Sequence, residues 1–332
     1  MNYIGSKYSL LEFIDYSVRL LVGNDLSGLR FCDLFAGTGI VGRHFKSRDC
    51  SVTANDMEYY SYVLNRNYIG NCTEIDGKDS LIARLNELPG KEGFIYNQYC
   101  LGGGNGRQYF SGSNGLKIDA ARTAIEEWRL SGEITDDAYY FLLCSLIESA
   151  DKVANTASVY GAFLKHLKRS AQKEIIISPA DLIRSCGEHS VYQEDANSLI
   201  RKISGEILYL DPPYNSRQYG ANYHLLNTIA DYTPFTPKGK TGLRDYRKSD
   251  YCSKRTVAAT FEELVKLSRF KYIILSYNNE GLMPPEVIAR IMSKYGRYQV
   301  FNREYHRFKA DSEENRQHSA DSTIEYLHVL TK

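Results

Sequence analysis

The sequence predicts an α/β protein built on a doubly wound, mostly parallel sheet that carries an inserted helical region. Three observations predict it. The chain opens with two short apolar segments, each followed by a helical pattern, in β-α-β-α order. A Gly-rich turn joins the first of these strands to its helix. The stretch 72–172 then loses that rhythm, which resumes near residue 190.

Taken in order, residues 9–22 place Leu10, Ile14, Val18 and Leu21 on one helical face. Residues 30–35 read as a buried strand ending in Ala36-Gly37-Thr38-Gly39, and a helix follows to about Ser47. Residues 51–55 read as a second strand and 58–69 as a helix. Residues 93–116 are rich in Gly, Tyr, Asn and Ser and read as a long loop, of the kind that is usually functional. Helical stretches are predicted near 117–131, 135–152 and 158–171. Further strands are predicted at 191–193, 206–210, 272–276, 298–301 and 322–330. The domain reading is a discontinuous catalytic region, 1–71 and 173–332, around an insertion at 72–172, with a basic loop at 233–256.

Composition narrows the function classes. Hydrophobic content of 43% and charged content of 24% suit a globular chain with a real core. No apolar run is long enough for a membrane span, and the N-terminus lacks the apolar core of a signal peptide, so a cytoplasmic protein is expected. The seven cysteines form no C-x-x-C pair and the histidines show no ligand spacing, so neither a disulfide framework nor a metal is expected. A net charge of +1 does not announce nucleic-acid binding, so any such contact would come from local patches. Residues 238–255 form one, with Arg244, Arg247 and Lys248 among its cations; Lys165, Lys168 and Arg169 form another on the expected third helix. Such a run is more often simply a solvated surface. The 27 tyrosines suit either base stacking or core packing.

Asp33-Leu34-Phe35-Ala36-Gly37-Thr38-Gly39-Ile40-Val41-Gly42 contains G-x-G-x-x-G between strand and helix, and Asp56 lies about twenty residues on. The spacing fits a dinucleotide site, and an ordinary βα turn with a capping aspartate would also produce it. Asp33 discriminates. A carboxylate at the strand end would repel the pyrophosphate of NAD. It would attract the ammonium of S-adenosylmethionine, while Asp56 accepts from ribose hydroxyls. Downstream, an apolar strand runs into Asp211-Pro212-Pro213-Tyr214. The two prolines make a rigid loop whose carbonyls are free acceptors. Asp211 and the Pro212 carbonyl could each accept one N–H of an aromatic amino group, aiming its nitrogen lone pair at a methyl donor. Tyr214 offers a π-face to a flipped-out base. A strand-terminating turn with a core tyrosine is the bland alternative. Arg217, Tyr219 and Asn222 follow this loop and suit phosphate or base contact, though Asn222 could instead cap the next helix.

With these motifs in hand, the chain resembles the D12-type, α-group N6-adenine DNA methyltransferases from end to end. Tyr3-Ile4-Gly5-Ser6-Lys7 is similar to that family's N-terminal cofactor motif. Asp33 to Gly39, Asp56 and Glu194-Asp195-Ala196 resemble its next three motifs, and Asp211 to Tyr214 its catalytic motif. The resemblance implies a Rossmann-like S-adenosylmethionine-dependent methyltransferase sheet, mostly parallel with its last strand antiparallel. It implies that Tyr3 and Lys7 lie near the cofactor, that Phe35 lines the adenosine pocket, and that Asp195 meets the cofactor adenine. It also implies that 72–172 recognises the target and 233–256 contacts DNA. The expected activity is site-specific adenine-N6 methylation of duplex DNA, leaving S-adenosylhomocysteine. The expected setting is a restriction-modification system, whose endonuclease would share the target without binding the enzyme, or else a solitary methylase. N4-cytosine or rRNA amino-methylation, an NAD-dependent oxidoreductase and an inactive DNA-recognition protein are the alternatives.

Overall fold

The short apolar runs become seven strands of a single sheet: β1 (Arg30–Asp33), β2 (Ser51–Asn55), β3 (Ser190–Tyr192), β4 (Ser204–Leu210), β5 (Arg269–Asn278), β6 (Arg297–His306) and β7 (Ser322–Thr331). The computed structural model describes residues 7–306 and 322–332. Strand order is β3-β2-β1-β4-β5-β7-β6. The first five strands in that order are parallel, and β7 runs antiparallel to both β5 and β6. β1 shows why the sheet is parallel and buried. Phe31 faces one side and stacks on Phe45 of the helix Ile40–Lys46 at 3.9 Å. Cys32, with Leu34 just beyond the strand, faces the other and joins a cluster with Phe261 and Leu264 of the helix Val257–Leu267. A strand covered on both faces reads as a continuous apolar run rather than an alternation. Fully burying a phenylalanine or leucine side chain in this way contributes about 1.5–3 kcal/mol.

The order reverses between β1 and β4. From β1 the chain winds outward through β2 and β3, then returns to β4 on the other side of β1. In open α/β sheets the carboxyl ends of the strands flanking such a switch point form the ligand crevice. Asp33 closes β1, and Asp211 directly follows β4.

The chain divides into two compact units. One contains Lys7–Met57, Ser185–Gln218 and Lys248–Lys332, and holds the whole sheet. The other includes Glu58–Arg184 and Tyr219–Arg247 and is helical. The stretch 72–172 lies inside this second unit, whose limits are wider, and the stretch 233–256 is divided between the two.

Within the helical unit the sequence expectations need two corrections. Residues 93–116 are not one loop: they contain the helix Phe94–Tyr99, and a second helix, Gly112–Leu130, begins in them. Buried Asp119 accepts hydrogen bonds from the backbone N–H groups of Ile95 and Tyr96 at 2.9 and 2.7 Å, satisfying donors that a short helix leaves open. Nor do residues 158–171 form a helix. Ser158 adopts φ 97°, and Gly161 follows. The segment's backbone donors go elsewhere: Tyr160 N–H to the Asn222 carbonyl at 2.7 Å, and Lys168 N–H to the Asn155 side chain at 3.0 Å. The tyrosines of this unit are chiefly core. Tyr60, Tyr68, Tyr99, Tyr109, Tyr160 and Tyr223 are buried, and four of them place their hydroxyls on protein acceptors within the unit.

Among the described residues no helix is long and apolar enough to cross a membrane.

Candidate active site

The glycine turn after β1 is built by hydrogen bonds its sequence does not advertise. Gly37 and Gly39 take φ 51° and 75°, where a side chain is strained. Gly39 N–H closes the turn on the Ala36 carbonyl at 2.8 Å, and Gly37 N–H is held by Asp56 Oδ2 at 2.8 Å. Asn55, at the end of β2, binds the carbonyls of Leu34 and Glu194 through Nδ2, both at 3.1 Å, and accepts from Glu194 N–H through Oδ1. One buried amide therefore ties together the chain ends that follow β1, β2 and β3. Sequence reading passed over it; a polar residue closing an apolar strand was the available signal.

Asp33 is almost completely buried. Its Oδ2 accepts from Gly42 N–H at 3.1 Å, while buried Oδ1 has no hydrogen-bond partner among the described residues. Burial, with the charge of Asp211 adding to it, pushes the Asp33 carboxyl up to about 8. An unpartnered buried carboxylate oxygen costs free energy until a donor reaches it. A cationic donor is the best match, because its charge returns the carboxyl to the ionised form.

The walls of the glycine turn come from three segments. Phe35 meets Tyr251 edge-on at 5.0 Å, and Tyr251 donates its hydroxyl to Asn197 at 2.8 Å. Asp195 is exposed and caps the helix Ala196–Leu199, accepting from Ser198 N–H at 2.9 Å. Ala36 is buried and Thr38 half-buried.

After β4, Pro212 is buried and Pro213 half-buried. Tyr214 packs on the sheet's core cluster, and its carbonyl accepts from Leu282 N–H at 3.0 Å. Lys7 Nζ lies 3.1 Å from Asp211 Oδ1 and 3.0 Å from Glu325 Oε1. Burial alone would lower the Lys7 ammonium; the carboxylates of Asp211 and Glu325 outweigh it and hold Lys7 well above the ordinary lysine value. Burial pushes the Asp211 carboxyl up to about 6, with Lys7 pulling against it. Glu325 was not singled out in the sequence, although one acidic residue on the apolar face of β7 is the kind of exception that marks a site.

Of the predicted site residues, the structure brings together Lys7, Asp33, Asp56 and Asp211 to Tyr214 at the carboxyl ends of β1, β2 and β4, with Phe35 and Asp195 on the adjoining loops. Tyr3 lies outside the described residues. The predicted DNA contacts fall into two kinds. Arg217, Arg247, Lys248, Lys165 and Arg169 are exposed. The others are engaged internally. Arg244 pairs with Asp231 and binds the Asn227 carbonyl at 2.9 Å. Lys168 donates to the Thr156 carbonyl at 2.7 Å, and Tyr219 stacks on Tyr223 at 5.9 Å. Asn222 does not cap the following helix, His224–Asp231, which begins without a side-chain cap.

Residues 3–291 match the family model of the D12 class N6 adenine-specific DNA methyltransferase. The chain is 60% identical over 332 residues to the type II methyltransferase M.NlaIII of Neisseria lactamica, covering 100% of this chain and 99% of that protein. It is 36% identical to M.CviAII of Paramecium bursaria Chlorella virus 1, with 93% of each covered. It is also 36% identical to M.FokI of Planomicrobium okeanokoites, matching with 100% of its own length but 53% of that relative's.

Proposed function

Because this chain belongs to the D12 class of N6 adenine-specific DNA methyltransferases, we infer that it is the modification enzyme of a type II restriction-modification system. It methylates adenine N6 in duplex DNA at a specific site, using S-adenosylmethionine and leaving S-adenosylhomocysteine. The observation that carries the reading is the pair of acids at the switch point: Asp33 with an unpartnered buried oxygen, and Asp211 clamped by Lys7. The family match disfavours the N4-cytosine and rRNA readings, and Asp33 opposes the NAD reading.

S-adenosylmethionine supplies an electrophilic methyl group on a sulfonium. Asp33 Oδ1 takes the ammonium of its methionine part. Asp56 orients the glycine turn through Gly37 and presents its carboxylate to the ribose. Phe35, braced by Tyr251, lines the adenosine pocket beside Ala36, Thr38 and Gly39. Asp195 contributes at the adenine edge with what its capping bond leaves. Asp211 and the Pro212 carbonyl accept the two N–H groups of the target amino group, so the nitrogen lone pair points at the methyl carbon. Asp211, poised near 6, then takes the proton the methylated nitrogen sheds and passes it to solvent. Pro213 stiffens the loop, and Tyr214 stacks on the base, which must leave the duplex to reach this depth. The helical unit supplies target recognition. The cognate endonuclease shares the target sequence without binding this protein.

Labelled S-adenosylmethionine and mixed-sequence duplex DNA, followed by digestion to nucleosides, test the reading. Label is expected in N6-methyldeoxyadenosine. Label in N4-methyldeoxycytidine, or in RNA alone, would overturn the base assignment.

Arg247 and Lys248 are exposed, and neither makes an ion pair among the described residues, so both are available for phosphate contact. Replacing both with glutamine should lower the slope of log affinity against log salt by about two, close to one per phosphate contact. An unchanged slope returns them to the solvated surface. Arg244 is a poor choice for this test, because its bond to Asp231 is structural.

A further inference from the structure

Lys7 makes one more contact than pairing with Asp211 requires. An ammonium and a single carboxylate are already charge-balanced, yet Lys7 also meets Glu325 on β7, which is only 4% exposed. Burying a second carboxylate is costly unless it is paired and hydrogen-bonded. Here it is both: Ser276 on β5 donates its hydroxyl to Glu325 Oε1 at 2.6 Å, and the same oxygen lies 3.0 Å from Lys7 Nζ. A lysine on a flexible four-carbon stem is not fixed by one partner. Two acceptors, one of them anchored on the sheet, leave its ammonium little freedom.

We propose that Glu325 is a positioning residue for methyl transfer: with Ser276 it clamps Lys7, so that the ammonium holds Asp211 by Oδ1 and leaves Oδ2 for the amino group of the substrate. The proposal rests on the reading of Asp211 as the acceptor of that amino group. Among the described residues, charged and titratable groups that act on Asp211 include Lys7 from the N-terminal segment, Tyr209 from β4, Asp33 from β1 and Glu325 from β7. Arg303, opposite Glu325 on β6, is exposed. The negative charge of Glu325 raises the Asp211 carboxyl, and Lys7 lowers it. Glu325→Gln keeps the shape and an acceptor for Lys7 and removes the charge. The acid limb of its activity should therefore move to lower pH. Lys7→Met should move the limb the opposite way. A Glu325 that merely supported the sheet would leave the limb of Glu325→Gln where the parent's lies.

The test is the pH profile of kcat, measured at saturating DNA and S-adenosylmethionine for the full-length protein and for Glu325→Gln. The variant's plateau should fall about tenfold from looser placement of Asp211, its KM for S-adenosylmethionine should hold, and its acid limb should lie at lower pH. A limb at the parent's pH overturns the proposal. If Glu325→Gln melts below the assay temperature, Ser276→Ala carries the test: a lowered plateau with KM held supports the clamp, and an unchanged plateau overturns it. A parent protein inactive on DNA would count against the function, whereas an active parent with an unmoved variant limb counts against Glu325 alone.

Discussion

Asp211→Ala loses methyl transfer by about 10³-fold or more, in the range expected when a preorganised polar contact to the reacting group is removed, while its affinity for S-adenosylhomocysteine stays close to the parent's. Asp211 sits on the loop after β4, whereas Asp33, the glycine turn and Asp56 lie at the ends of β1 and β2. The truncation therefore removes the acceptor for the amino group and leaves the cofactor's contacts standing. Lys7 keeps Glu325 as a partner, so the variant does not strand a buried ammonium. The parent enzyme should show the same dependence through pH. Asp211 is pushed up to about 6, so kcat falls as pH drops through about 6 and the carboxylate is lost. Single-turnover assays across pH 5–9 read both effects; retained turnover in Asp211→Ala removes Asp211 from the mechanism.

Asp33→Asn weakens S-adenosylhomocysteine binding about 10- to 100-fold, the loss of a charge-assisted hydrogen bond worth ~1.5–3 kcal/mol. The same substitution should raise the melting temperature of the unliganded protein. Burial holds the Asp33 carboxyl at about 8 in the folded state, against an ordinary value of 3.8. Between those values the folded chain binds a proton that the unfolded chain does not, so stability falls as pH rises from about 4 to 8. Asparagine keeps an acceptor for Gly42 N–H and carries no proton to lose. Binding less tightly while melting higher is a signature that damage to the fold cannot imitate. For the parent, the cationic ligand favours ionised Asp33, so binding at pH 7 should release about one proton. Calorimetry in two buffers of different ionisation enthalpy measures that release. A variant that binds like the parent assigns the ammonium elsewhere.

The sheet was legible because β1, β2 and β4 are short apolar runs with chemistry attached to their ends. Asp33 with Gly37–Gly39, Asp56, and Asp211 to Tyr214 are each local in sequence, and a parallel sheet places strand ends side by side. What local pattern does not encode is pairing across the chain. Lys7 and Glu325 are 318 residues apart, and only the antiparallel return of β7 beside β5 brings them together. The same gap explains the misread segments. Residues 158–171 have a helix-like composition, but Ser158 takes a left-handed φ, and Asn155 satisfies the Lys168 N–H instead. The polar, aromatic stretch 93–116 hid a helix because the acid that secures it, Asp119, lies on the next one. Arg244 looked like a free cation in a basic loop until Asp231, on the preceding helix, appeared beside it.

The division of labour between the two acids is tested most directly by titrating S-adenosylhomocysteine into Asp211→Ala and Asp33→Asn side by side in a calorimeter. The account predicts near-parental affinity for Asp211→Ala and the loss confined to Asp33→Asn. Equal losses in the two variants, or a loss in Asp211→Ala alone, would contradict it.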